Sequence, residues 1–125
     1  MSDIETVVPR AFKTDWFSKA ARKAHIKNDE LCDAFTGILR GQADDLGGGV
    51  FKKRLNKNRH RSIVLAKAGR LWIYEYLYAK NDRDTIEDDE LEDFRTLAKS
   101  YATLSDTQLG RLLEDGDLTE ICHDD

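Results

Sequence analysis

Two hydrophobic periods divide the chain. From Trp16 to Leu39 apolar residues recur every three or four positions, from Val50 to Ala79 every second one, and beyond Asn81 the helical spacing returns. In WFSKAARKAHI the spacing puts Trp16, Ala20 and Ala24 on one apolar face, with Phe17 and Ala21 beside them and Thr14 or Asp15 as the cap. In DELCDAFTGILRGQ, capped by Asn28, the residues Leu31, Phe35, Ile38 and Leu39 follow the same period, and Gly41 falls near the end. The short link HIKN predicts that these two helices form an αα-hairpin. RAFKTD ahead of them reads as a short edge strand.

DDLGGG breaks the helical pattern. Beyond it VFKKRLN, RHRSIVLAK and RLWIYEYLYAK are rich in β-branched and aromatic residues and are parted by Asn-Lys-Asn and Ala-Gly. They predict strands near 50–56, 59–67 and 70–80 in an antiparallel meander. Along the last, regular alternation would put Leu71, Ile73, Leu77 and Ala79 on one face and Trp72, Tyr74, Tyr76 and Tyr78 on the other. DTIEDDELEDFRTLAKSYATL spaces Leu91, Phe94, Leu97, Ala98 and Tyr101 as a helical face, with its acids in the first turns, where a helix dipole favours them. SDTQLGRLLEDG opens with Ser105 and Gln108 at capping-box spacing and closes at Gly116. The class is α+β. Residues 1–9, aperiodic up to the single proline, Pro9, read as a flexible arm, 10–121 as one domain and 122–125 as an acidic tail.

Charge changes the picture. The formal net charge is -4, but residues 1–81 hold 16 basic and 9 acidic side chains, and residues 82–125 hold 4 and 15. Gly47 to Arg70 contains eight Lys and Arg and no carboxylate. A polyanion samples that local field rather than the net charge. No apolar run approaches the roughly 18 residues that cross a bilayer, and the acidic N-terminus does not resemble a secretion signal. The expected location is therefore the cytoplasm. Cys32 and Cys122 form no CxxC pair and no disulfide framework, so they are expected as reduced, unpaired thiols.

Lys52 and Arg54, two apart on a strand, share a face, and antiparallel pairing would bring Arg61 beside them. Three cations on one face repel unless an anion is to be met; phosphate is one use, and a solvated basic strand that deters edge aggregation is the other. The Trp72, Tyr74, Tyr76, Tyr78 stripe could stack bases, although such stripes more often pack under helices. GGG lacks a GK[ST] ending and precedes a strand, so it reads as a turn rather than a phosphate loop. His60 should face away from Arg61 and is a weak general-base candidate; His25 reads as a surface residue at a helix end. CHDD has metal-ligand types but a poor spacing for a tetrahedral site. Neither a metal nor another cofactor is expected.

GGGVFKKRLNKNRHRSIVLAK, followed by YEYLYAKND, resembles the RelE/HigB-like toxins of bacterial type II toxin–antitoxin systems. The likeness spans roughly residues 11–121, including FKTDWFSKAARK and LSDTQLGRLLEDGDLTEI. It implies a RelE-like fold: an N-terminal helical hairpin, an antiparallel β-sheet and C-terminal helices. It implies a ribosome-dependent mRNA endonuclease that inhibits translation, with Lys52, Arg54, Arg61 and Lys80 catalytic and Lys53, Lys57, Arg59, His60 and Asn81 along the RNA. Its partners would be the ribosome, mRNA and a cognate antitoxin of helix-turn-helix type, with no membrane. The implied chemistry is attack of a ribose 2′-OH on its own 3′-phosphate, in which arginines stabilise charge growing on phosphate oxygens. Lys52 would serve as base only if crowded cations depressed its pKa. The chain departs from the family at Arg59 and His60, which replace a glycine and a tyrosine, and at Asn81, which stands where an arginine is found. The acidic stretch after it also lacks the family's tyrosine near the phosphate. The alternative is a toxin or RNA-binding module of this fold that binds its target without cutting.

Overall fold

The computed structural model describes residues 8–67, 70–83 and 85–122. The chain opens with strand β1 (Arg10–Thr14), before the helices α1 (Asp15–Lys23) and α2 (Asn28–Leu39). Strands β2 (Asp44–Gly47), β3 (Val50–Leu55), β4 (His60–Lys67) and β5 (Leu71–Ala79) follow, then α3 (Asp88–Ala102), α4 (Asp106–Asp115) and β6 (Leu118–Ile121). The strand order is β2-β3-β4-β5-β1-β6, with only β1 and β5 parallel.

The meander stands as expected, and the short strand read at RAFKTD is present as β1, but its place in the sheet differs. β1 is no edge strand, and the helical hairpin does not come first. Ala11 and Phe12 are buried on opposite faces, so β1 is hydrogen-bonded between β5 and β6. β2 and β6 were hidden by length, since four residues give too few alternations to read. The Ala-Gly turn falls mainly on residues 68–69, the arm mainly on 1–7 and the tail mainly on 123–125, outside the described residues.

α1 and α2 cover one face of the sheet, and α3 and α4 the other. Phe17, Ala21, Leu31, Phe35, Trp72 and Tyr74 form the first core. Val50, Ile63, Leu65, Ile86 and Ala98 form the second, continued by Phe12, Ile73 and Leu109. The phase of α1 differs from the expected one. Thr14 Oγ1 accepts from the Phe17 amide at 3.0 Å, turning Phe17 and Ala21 inward and leaving Trp16 50% exposed. At α2, Lys27 holds the cap position, because the Asn28 side chain accepts from Lys13 Nζ at 2.8 Å. Leu39, expected on the apolar face, is largely exposed.

Strand β5 carries a bulge. Val64 pairs with Tyr74 and Ile63 with Tyr76, so Glu75 is an extra residue and the alternation flips there. Trp72, Tyr74 and Leu77 consequently share the α1–α2 core, and Tyr78 turns to the α3 side. The expected single aromatic stripe is thus split between the faces.

The cysteines correct a second expectation. They are not free thiols: Cys32 on α2 and Cys122 just after β6 form a disulfide, with Cα atoms 5.3 Å apart across a sequence separation of 90. Spacing in sequence carries no trace of this, because the pairing arises only where the first turns of α2, which packs mainly on β3, meet the chain just after β6.

Candidate nucleic-acid interface

The tri-glycine turn fixes the start of the site. Gly47, Gly48 and Gly49 all have positive φ, joining β2 to β3 in a hairpin. A Cβ at Gly48 would lie 2.7 Å from Arg95 Cγ, so the helix α3 arginine packs directly over the turn. Arg95 Nε also donates to the Gly47 carbonyl at 3.3 Å. The turn sets the register of β3, and with it which way each cation points.

Arg54 is the direct partner of Arg61, and Lys52 of Ile63, in the β3–β4 ladder. The three cations therefore lie on one face, the face that α3 covers further along at Val50 and Leu65. Arg54 is exposed. Lys52 approaches Asp44 Oδ2 at 3.8 Å across the β2 edge. Arg61 is only 9% exposed, and its Nη1 donates to the Asn58 and His60 carbonyls at 3.1 and 3.2 Å. One edge of its guanidinium is thus committed to holding the turn.

That turn is unusual. Asn56, Lys57 and Asn58 all have φ between 53° and 72°, a region that asparagine tolerates better than most residues. Arg59 secures it, its Nε and Nη2 donating to the Asn56 carbonyl and Oδ1, both at 3.2 Å. The Lys80 amide donates to the Arg59 carbonyl at 2.9 Å, which brings exposed Lys80 and Asn81 to the same end of the sheet. Arg54, Lys57, Arg59, Arg61, Lys80 and Asn81 thus gather at one end, with Lys52 one step along.

Two expected RNA contacts point elsewhere. Lys53 alternates to the opposite face, where its Nζ donates to the Gln42 carbonyl at 2.6 Å and packs beside Gly37. His60 faces that side too, with Nδ1 3.1 Å from Asn56 Nδ2.

Arg83 was not anticipated, and Tyr78 only as one ring of a stripe that could stack bases, not as a neighbour of Arg61. Tyr78 is the β5 partner of Arg61, and the Arg83 guanidinium lies 5.4 Å from its ring centroid. Arg83 is in turn held by the Glu90 carboxylate at the start of α3. Among the described residues the buried Tyr78 hydroxyl has no hydrogen-bond partner. Burial pushes its pKa up, while the charges of Arg61 and Arg83 oppose the shift. Regular alternation hid Tyr78 from the sequence, because the bulge at Glu75 decides its face.

Among the described residues no group of three His, Cys, Asp or Glu side chains could hold a metal ion, and no helix is long and apolar enough to cross a membrane. The family model described as the RelE toxin of the RelE/RelB toxin–antitoxin system matches residues 9–121. No curated protein and no solved structure matches the chain.

Proposed function

Because the chain belongs to the RelE toxin family of toxin–antitoxin systems, we propose that it is a ribosome-dependent mRNA endonuclease acting in the cytoplasm, held in check by an antitoxin of helix-turn-helix type. The observation that carries the reading is the opposed pair Arg54 and Arg61 with Lys52 on the same face. Like charges directly opposite one another destabilise a sheet, so their juxtaposition is best accounted for by an anion placed between them. An RNA phosphate has the charge and the oxygen spacing for two guanidinium forks.

In the proposed reaction the 2′-oxygen attacks the adjacent phosphorus and the bond to the 5′-oxygen breaks. The products are a 2′,3′-cyclic phosphate and a 5′-hydroxyl. The 2′ proton leaves as the new bond forms, and the departing oxygen gains one. Arg54 and Arg61 stabilise negative charge on the non-bridging oxygens as the phosphorus becomes five-coordinate. Lys52 adds a third positive charge, and Lys80 with Lys57 and Arg59 holds neighbouring phosphates at the rim. Such contacts position RNA without reading its sequence.

A second reading rests on His60 and Arg61. The imidazole is turned away from the cationic face, and Arg61 is largely buried and tied to carbonyls. A face rich in cations but without an imidazole suits a toxin that binds RNA and blocks translation without cutting it. Tightly repressed expression in a bacterium, with growth followed and mRNA 5′ ends mapped, separates the two. Growth arrest with new 5′-hydroxyl ends within codons supports the endonuclease. Arrest with intact mRNA supports the binder, and no arrest overturns both.

A further inference from the structure

We propose that the groove between α1 and the end of β5 is a nucleobase-stacking site, taking a single-stranded RNA nucleotide next to the phosphate held by Arg54 and Arg61. The inference rests on the RNA reading above and extends it to a surface that reading does not use.

The groove exists because β1 is short. β1 pairs only with residues 71–74 of β5, so the last residues of β5 have no strand beside them on that edge. α1, which leaves β1 at once, runs along this edge and packs mainly on β5. Between them lies an open groove of about 610 Å3 lined by Trp16, Lys19, Lys23, His60, Tyr76 and Arg83. That volume lies within the range of small-ligand sites.

Its floor is aromatic. Trp16 stacks on Tyr76 with centroids 5.0 Å apart and planes at 21°, and Tyr76 in turn meets Tyr78 at 6.0 Å. Trp16 is half exposed although its neighbours along the helix, Phe17 and Ala21, are buried. A large indole held flat by a ring beneath it, with a face open to solvent, is a platform for a base.

Among the described residues its walls carry three cations, Lys19, Lys23 and Arg83, and one carboxylate, Asp82; Lys19 is paired with Asp15 and Arg83 with Glu90. An apolar protein segment would have no use for these charges, whereas a nucleotide brings a phosphate with every base. The groove is also continuous with the cationic face. Tyr78 lines it and is the strand partner of Arg61, and Arg83 lines it while lying over the Tyr78 ring.

The test uses the full chain and a 2′-O-methyl hexanucleotide, which cannot undergo 2′-OH attack, with affinity measured by titration calorimetry for every variant and occupancy of the groove in chains that keep Trp16 followed by tryptophan emission. Trp72 is buried and Trp16 exposed, so a base entering the groove acts on Trp16. The expected result is quenching on titration, with Trp16→Ala binding about tenfold more weakly and Trp16→Phe keeping most of the affinity. The half-exposed position makes a folding defect in these variants readily checked by circular dichroism. In Lys52→Ala/Arg54→Ala/Arg61→Ala the quench should persist at higher oligonucleotide concentration, since the groove is intact. Binding that leaves the emission unchanged and is insensitive to Trp16→Ala overturns the proposal, and would point to a protein segment as the occupant. Quenching by a wild-type chain that cuts no mRNA on ribosomes would leave the groove standing and remove the nuclease reading. Cutting without quenching would do the reverse.

Discussion

Arg54 and Arg61 face one another directly across the β3–β4 ladder, yet only Arg54 is exposed. The two arginines therefore differ in what they do for the fold. Arg54→Ala removes a repelling charge from the surface and should change stability by no more than about 0.5 kcal/mol. Arg61→Ala strips the donor from the Asn58 and His60 carbonyls and should cost about 1 to 2 kcal/mol. Either should lower mRNA cleavage on purified ribosomes by about a hundredfold. Thermal unfolding alongside cleavage separates the effects. Full activity in a folded Arg54→Ala variant would remove the phosphate from between the pair.

The Cys32–Cys122 bond closes a long loop, and it lies on the α1–α2 side, away from Arg54 and Arg61. Its loss should lower unfolding free energy by roughly 2 to 4 kcal/mol, through added freedom of the unfolded chain. A reducing compartment would hold the pair as thiols. Urea unfolding with and without dithiothreitol, compared with Cys32→Ser, should show equal losses for reduction and substitution. Growth arrest should be unaffected by Cys32→Ser. Identical stability in all three samples would mean the bond contributes nothing.

Glu75, the extra residue of the β5 bulge, is pushed up to a pKa of about 7, chiefly by burial; its hydrogen bond from the Tyr101 hydroxyl, at 3.2 Å, opposes the shift. The folded state thus holds this proton where the unfolded chain has lost it. Stability from Glu75 is present below the unfolded value of 4.5, declines as pH rises towards 7, and is flat beyond. The change is on the order of 2 kcal/mol after solvent screening. Glu75→Gln should flatten the profile between pH 5 and 7 and raise stability at pH 8, as denaturant unfolding at several pH values would show. A wild-type profile that rises through this range would contradict the assignment.

Much of the site was legible because it rests on parity. Lys52, Arg54 and Arg61 fall on one face wherever β3 and β4 are regular and joined by the short Asn-Lys-Asn turn, and both conditions hold. What was not legible depends on contacts between distant segments. The bulge at Glu75 moved Tyr78 to the Arg61 side, the Thr14 cap rotated Trp16 out of the core, and α2 carried Cys32 to Cys122. Lys53 also illustrates the limit. Its charge suggested RNA, but alternation sends it to the Gln42 carbonyl.

The Tyr78 hydroxyl tests the geometry from inside the site. It is buried, makes no hydrogen bond among the described residues, and lies under Arg83 and across from Arg61. An unsatisfied hydroxyl costs free energy in the folded state, so Tyr78→Phe should keep the ring and raise stability by up to about 1 kcal/mol. If the hydroxyl has no role in the reaction, cleavage on ribosomes is unchanged. If Arg61 or Arg83 moves when RNA binds and exposes it to the phosphate, cleavage falls while stability still rises. A variant that is both less stable and unchanged in cleavage would show that the hydroxyl has a partner in solution, and that its role is confined to the fold. Measuring both quantities on one preparation decides among these, because a buried group kept unpaired at a loss to stability is the pattern expected of a residue retained for function.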